Sequence, residues 1–131
     1  MAKRVLVVDD SPTVRTLVSL TLVKAGLDVV QAHDGAEALV QLDRHEPDLI
    51  ITDLNMPVMG GMDFMKAVRA SPAHGGTPVI LLTVEANAEK ISSFRAAGAV
   101  ACMTKPFTAA QLVSVVDTVG RPVSGGVLCH A

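Results

Sequence analysis

Five short apolar runs recur along the chain, and each is followed by a stretch of helical length with polar ends. Three of these runs consist mainly of Val, Leu and Ile between turn residues, a pattern typical of strands buried on both faces. Strands that alternate with helices in this way predict an α/β fold around a parallel sheet. The predicted strands cover residues 4–9, 28–32, 49–53, 79–83 and 99–103.

Capping residues mark where the intervening helices begin and end. Ser11 followed by Pro12 predicts the start of the first helix, and Gly26 predicts its end. Asp34 and Thr108 are each followed three residues later by Glu or Gln, which predicts capping boxes at the second and fifth helices. The third helix is expected to begin after the glycine pair at 60–61 and to run to about residue 70, and the fourth to cover about 87–97.

The length of 131 residues allows one domain with a buried core, which we expect to cover residues 1–120. A run containing Pro, Ser and Gly follows Gly120, so residues 121–131 are predicted to form a flexible C-terminal tail. No apolar run reaches the ~18 residues of a membrane span, and the N-terminus does not resemble a signal peptide. We therefore expect no membrane insertion.

Charge and cysteine content narrow the class of protein further. A net charge of −2 without a basic block, and only three aromatic residues, argue against a nucleic-acid partner. The two cysteines, Cys102 and Cys129, lack metal-ligand spacing and indicate no disulfide framework. These features predict a cytoplasmic protein, and we expect a monomer.

Polar residues stand at the same end of four predicted strands. Each alone could be a turn, capping or solvated residue. In an open parallel sheet, however, ligands bind beyond the carboxyl ends of the strands, so the set is expected to converge on one edge. The set comprises Asp9 and Asp10 at the end of the first strand, Asp53 at the third, Thr83 at the fourth and Lys105 after the fifth.

Three carboxylates brought together repel one another, and the pKa of each rises unless a cation is present. Oxygen ligands without His or Cys suit Mg²⁺, which binds one or two carboxylates and keeps several waters. A Mg²⁺ site beside a nucleophilic carboxylate and a lysine is an arrangement for phosphoryl transfer.

Four segments resemble the receiver domains of bacterial response regulators, in order and at similar spacing, over about residues 3–119. They are 7–11 (VVDDS), 48–57 (DLIITDLNMP) together with the glycine pair at 60–61, 82–83 (LT) and 104–107 (TKPF). The resemblance implies a doubly wound (βα)5 flavodoxin-like sandwich with a five-stranded parallel sheet of order 2-1-3-4-5. Within that family, the single-domain chemotaxis regulators are the most similar.

The resemblance also implies roles for individual residues. Asp53 would accept a phosphoryl group from a histidine kinase, and Thr83 and Lys105 would contact its oxygens. Mg²⁺ would be bound by Asp10, Asp53 and the backbone carbonyl of Asn55, with Asp9 acting through a water. The Lys105–Pro106 bond would be cis, and Asn55 and Glu85 would tune the lifetime of the phosphorylated state. The resemblance also implies a downstream partner protein, either a motor switch component or another effector. It would bind at the face of the fourth helix, fifth strand and fifth helix.

Cys102 departs from the family pattern, since receivers of this class usually carry Tyr or Phe three residues before the lysine. A thiol can be buried but cannot turn inward as a ring does. A packing cysteine is favoured there over a redox cysteine. The change leaves phosphorylation intact and puts the aromatic route to the output face in question.

Three alternative functions share part of this pattern. A phosphate sink or phosphorelay carrier would need the same chemistry and no output face. A Mg²⁺-dependent aspartyl-phosphate hydrolase would carry a second Asp two residues after a nucleophile on the first strand, whereas Asp10 is followed by Ser11 and Pro12. An FMN-binding module would need a hydroxyl-rich phosphate loop and aromatic stacking. The last two are disfavoured, because the site rather than the fold decides function.

Overall fold

A computed structural model describes residues 3–56, 58–84, 87–119 and, for the backbone, 128–130. The strands are β1 Arg4–Val8, β2 Asp28–Ala32, β3 Leu49–Asp53, β4 Val79–Thr83, β5 Ala101–Thr104 and β6 Leu128–His130. They form one sheet in which every neighbouring pair is parallel, in the order β2-β1-β3-β4-β5-β6. The helices are α1 Pro12–Lys24, α2 Gly35–His45, α3 Gly61–Ala70, α4 Ala88–Ala96 and α5 Ala109–Val119. The predicted doubly wound fold with order 2-1-3-4-5 is confirmed, with a sixth strand added beyond β5.

Two apolar clusters lie on the two faces of the sheet. One packs α1 and α5 against β1, β3, β4 and β5, and includes Leu22, Ile51 and Leu112. The other packs α2, α3 and α4 on the opposite face, and includes Phe64 and Phe94. Strands β3 and β4 are buried along their whole length, which explains their continuous runs of branched apolar residues.

The predicted caps are present, with one difference. Ser11 Oγ accepts a hydrogen bond from Val14 N, and Thr108 and Gln111 form a reciprocal capping box. At α2 the Asp34 carboxylate accepts from Glu37 N. The Glu37 side chain, however, accepts from the N–H of His33 rather than from that of Asp34. The helix starts were therefore readable from local sequence.

Two strands, β1 and β5, differ in their bounds from the predicted 4–9 and 99–103, and β5 also extends to Thr104. Strand β1 ends at Val8, because the Asp9 carboxylate turns back to accept from Ser11 N and begins the turn into α1. Strand β5 begins at Ala101, because the N–H of Ala99 donates to Phe94 O at the end of α4. Asp9 and Ala99 each make a hydrogen bond at the end of the adjacent helix. The alternation of apolar runs and helical stretches along the sequence does not predict these bonds.

The predicted C-terminal tail contains a strand. Residues Leu128–His130 form β6, which pairs in parallel with Ala101–Met103 of β5. Residues 120–127 and 131 lie outside the described part of the chain. Within the described residues, no helix combines the length and apolar character needed to cross a membrane.

Arg69 joins three segments at the end of the sheet opposite the site. Its guanidinium donates to the backbone carbonyls of Gly75, Thr77 and Gly98, at 3.0, 2.7 and 2.8 Å. Burial lowers the pKa of this guanidinium from its ordinary value. The connections before β4 and β5 are thus held by one side chain that local sequence analysis did not identify.

Candidate functional site at the carboxyl ends of the strands

The sheet brings the predicted polar residues to one edge. Asp9 follows β1, and Asp53 and Thr83 are the last residues of β3 and β4. Lys105 follows β5 and is held by its N–H, which donates to the Thr83 carbonyl at 2.7 Å. Asp10 is exposed at the rim, whereas Asp9 and Thr83 are buried.

Lys105 links the two central carboxylates. Its Nζ lies 3.2 Å from Asp9 Oδ2 and 3.2 Å from Asp53 Oδ1. Asp9 Oδ1 accepts from Ser11 N, and Asp53 Oδ1 accepts from Leu54 N, both at 2.9 Å. The side chains are therefore fixed by hydrogen bonds from their own loops and by one shared ammonium group.

Burial raises the pKa of the Asp53 carboxyl above its ordinary value, and the nearby Asp9 charge raises it further. Lys105 and the Leu54 N–H oppose this shift, because they favour the ionised form. The net direction is upward, so the folded site disfavours the ionised form of the Asp53 carboxyl.

A divalent cation fits this donor set. Carboxylate oxygens of Asp9, Asp10 and Asp53 lie within 4.8 Å of one another. Three carboxylates and one ammonium leave a surplus of two negative charges, and the donors are hard oxygens of the kind that Mg²⁺ prefers. The arrangement can hold one cation beside a carboxylate nucleophile.

Close packing of α3 against β3 also shapes the site. A Cβ on Gly61, the first residue of α3, would collide with the carbonyl oxygen of Asp53 and lie 3.0 Å from Leu54 Cα. The Gly61 N–H donates to the Leu54 carbonyl at 2.9 Å. Gly61 therefore lets the helix approach the backbone of Asp53. The glycine pair was part of the sequence motif, but the motif did not reveal why a glycine is needed there.

The loop between β3 and α3 holds a strained residue. Val58 has a φ of 68°, a left-handed conformation that β-branched residues rarely adopt, and it is exposed. Asn55, the predicted carbonyl ligand, is exposed in the same loop. Glu85, predicted to tune the phosphorylated state, lies outside the described residues. The predicted cis bond between Lys105 and Pro106 is present.

Cys102 differs from the expectation of a free packing thiol. It is buried in the cluster on the α4 side of the sheet, but it is disulfide-bonded. That prediction was wrong because the sequence gives no sign that the tail returns to β5, where the register places Cys129 opposite Cys102.

The sequence pattern of the family described as "Response regulator receiver domain" matches residues 5–117. The chain belongs to this family of two-component signalling proteins, and the described fold is that of a CheY-like receiver.

Among individual relatives, the chain is similar to the chemotaxis protein CheY-3 of Vibrio cholerae, with 38% identity over 117 residues. The match covers 88% of this chain and 90% of that protein. The structure of the chemotaxis response regulator CheY4 of Vibrio cholerae superposes with a TM-score of 0.87 and 42% identity, over 91% of this chain and 99% of that one. The transcriptional regulatory protein TrcR of Mycobacterium tuberculosis is 37% identical over 85% of this chain but only 42% of its own length.

Proposed function

We propose that this receiver accepts a phosphoryl group on Asp53 from the phosphohistidine of a histidine kinase, in a Mg²⁺-dependent reaction. The observation that carries the proposal is the position of Lys105, whose Nζ lies 3.2 Å from both Asp9 and Asp53. An ammonium group placed between a buried anchor carboxylate and an acceptor carboxylate neutralises charge where a phosphoryl group would add it.

The chain's own residues would act as follows. The contacts described for the Asp53 carboxylate converge on Oδ1, so we assign Oδ2 as the nucleophile. Oδ2 attacks phosphorus and the P–N bond breaks. The imidazole nitrogen leaves with the electron pair and takes up a proton from water. Lys105 and the hydroxyl of Thr83 would contact the transferred oxygens, which fixes the acyl phosphate in place.

Asp9, Asp10, Asp53 and the backbone carbonyl of Asn55 would hold Mg²⁺ at this edge. When bound, the ion supplies positive charge to the transferring phosphoryl oxygens. The raised pKa of Asp53 supports this assignment, because an acidic site that disfavours its own charge gains from a cation. The chain acts as a phosphoacceptor that assists its own phosphorylation and dephosphorylation rather than as an enzyme for a separate substrate.

Intact-mass spectrometry after incubation with acetyl phosphate and Mg²⁺ tests the acceptor. We expect one added phosphoryl group, which Asp53→Asn abolishes. Asp63→Asn is the matched control, because Asp63 is an exposed acidic residue on α3, close in sequence but outside the site. An Asp53→Asn protein that still gains the mass would refute the assignment of Asp53.

The proposed output is a change in the face formed by α4, β5 and α5, which would bind a downstream protein in the cytoplasm. We infer that this partner is a component of the motor switch or another effector, and that the receiver binds it as a monomer. Phosphorylation would shift an equilibrium that already exists between two arrangements of this face.

The position of Cys102 favours a second function, a phosphate sink or phosphorelay carrier without an output face. A disulfide-bonded cysteine stands where an aromatic ring would report the movement of Thr83. Amide NMR with beryllofluoride, a mimic of the acyl phosphate, separates the two functions. Shifts that spread to α4, β5 and α5 support the output switch, and shifts confined to the loops around Asp53 support the sink.

A further inference from the structure

The C-terminal strand β6 extends the sheet at the edge of β5. Three residues pair with it in parallel, in the register Ala101 with Leu128, Cys102 with Cys129 and Met103 with His130. Helices α4 and α5 lie on opposite faces of the sheet beside that edge. The strand therefore covers the backbone groups that β5 would otherwise present between the two helices.

The register brings the chain's two cysteines together. Directly opposed residues on neighbouring strands project to the same face of a sheet. The strand spacing of about 4.7–4.9 Å falls inside the range of about 4.4–6.8 Å for Cα atoms joined by a disulfide. Cys102 is disulfide-bonded, and the sequence holds only one other cysteine, Cys129.

We propose that Cys102 and Cys129 form a reversible disulfide that holds the C-terminal strand on the edge of β5. A strand of three residues paired on one side forms too few hydrogen bonds to stay docked without further support. The disulfide supplies that support. In the cytoplasm, disulfides are rare and are mostly transient or redox-sensing, which favours a reversible bond over a permanent one.

The bond forms by exchange with a small-molecule disulfide such as oxidised glutathione. One cysteine thiolate attacks a sulfur of that molecule and expels a thiolate. The second cysteine thiolate then attacks the mixed disulfide and expels the other thiolate. The two protons lost by the protein thiols end on the two released thiols. Reduction by a thiol follows the same path in reverse.

The consequence for signalling rests on the proposed function, in which the face of α4, β5 and α5 binds the downstream protein. The oxidised form has β6 on the edge of β5 at the centre of that face, and it fixes the side chain of Cys102 within that edge. Oxidation would therefore lower partner binding and leave phosphorylation unchanged, because Asp53 lies at the carboxyl end of β3, which β4 and β5 separate from β6.

The experiment equilibrates the full chain in mixtures of oxidised and reduced glutathione, then blocks free thiols with iodoacetamide under denaturing conditions. Intact mass should show unblocked protein at oxidising ratios and two added carbamidomethyl groups at reducing ratios. Two blocked cysteines at every ratio would overturn the disulfide. Protein that stays unblocked in reduced glutathione alone would overturn its reversibility.

Hydrogen exchange then tests the link between the bond and the strand. The amides of residues 128–130 should exchange roughly tenfold or more slowly in the oxidised protein than in the reduced protein. Cys129→Ser, which removes the bond and keeps a side chain of similar size, should match the reduced protein under both conditions. Equal protection in all samples would show that β6 docks without the disulfide, which refutes the proposal.

Phosphorylation by acetyl phosphate, followed on the same samples, separates this proposal from the proposed function. We expect equal phosphorylation of oxidised, reduced and Cys129→Ser protein. Absence of phosphorylation in all three would refute the acceptor chemistry while leaving the disulfide results valid. A rate that depends on the oxidation state would refute the proposed independence of β6 and the acceptor site.

Discussion

Gly61→Ala is expected to destabilise the protein although it places a better helix former in a helix. Replacing glycine by alanine at a compatible helical position stabilises a protein by about 0.5–1 kcal/mol. At Gly61, however, the new Cβ would meet the Asp53 carbonyl oxygen and would lie 3.0 Å from Leu54 Cα. All these atoms belong to the backbone, so either α3 or the end of β3 must shift.

The two effects differ in size, and the clash is the larger one. Forcing one carbon into a close-packed site costs about 1–3 kcal/mol. Subtracting the middle of the helical gain from the middle of this range leaves a net loss of about 1 kcal/mol. With the usual urea dependence for a small domain, this lowers the midpoint of unfolding by roughly 1 M. The displaced carbonyl belongs to the acceptor residue, so the rate of phosphorylation by acetyl phosphate should fall about tenfold or more.

Gly76→Ala is the matched control. A Cβ on Gly76 meets no atom within 4 Å, and the residue does not require a left-handed backbone. This variant should equal or slightly exceed the wild type in stability and should keep the wild-type phosphorylation rate. A Gly61→Ala protein with the urea midpoint and rate of Gly76→Ala would refute the argument that α3 packs against Asp53 without space for a side chain.

Three further predictions concern residues around the fold and the site. Arg69→Met should lower the free energy of unfolding, measured by urea denaturation, by about 2–4 kcal/mol, because three carbonyls lose their donor. The control Arg95→Met, at an exposed position, should change the free energy of unfolding by less than about 0.5 kcal/mol. Val58→Asn should raise the free energy of unfolding by about 0.5–1 kcal/mol, since asparagine tolerates the left-handed conformation. An unchanged melting temperature would contradict the interpretation that the Val58 backbone is strained. The raised pKa of Asp53 means that its charge opposes folding above that pKa and that this penalty disappears as the pH falls through it. Metal-free Asp53→Asn should therefore melt above the wild type at neutral pH, with the difference shrinking on acidification, and a constant difference would refute the sign.

Local sequence determined most of the fold and the chemistry of the site. Capping residues such as Ser11 and Thr108, and runs of branched apolar residues in β3 and β4, act over a few residues and were read directly. The edge at which Asp9, Asp53 and Lys105 meet followed from one general rule, that the carboxyl ends of parallel strands lie together. The order of the strands came from the family resemblance.

The tertiary structure decided what depends on contacts between distant segments. The ammonium group of Lys105 reaches Asp9 across a separation of 96 residues, and no local pattern encodes that distance. The same holds for the approach of Gly61 to Asp53, the three carbonyls bound by Arg69, and the pairing of Cys102 with Cys129. Each depends on how helices and strands pack after they form, and periodicity and capping carry information only about the elements themselves.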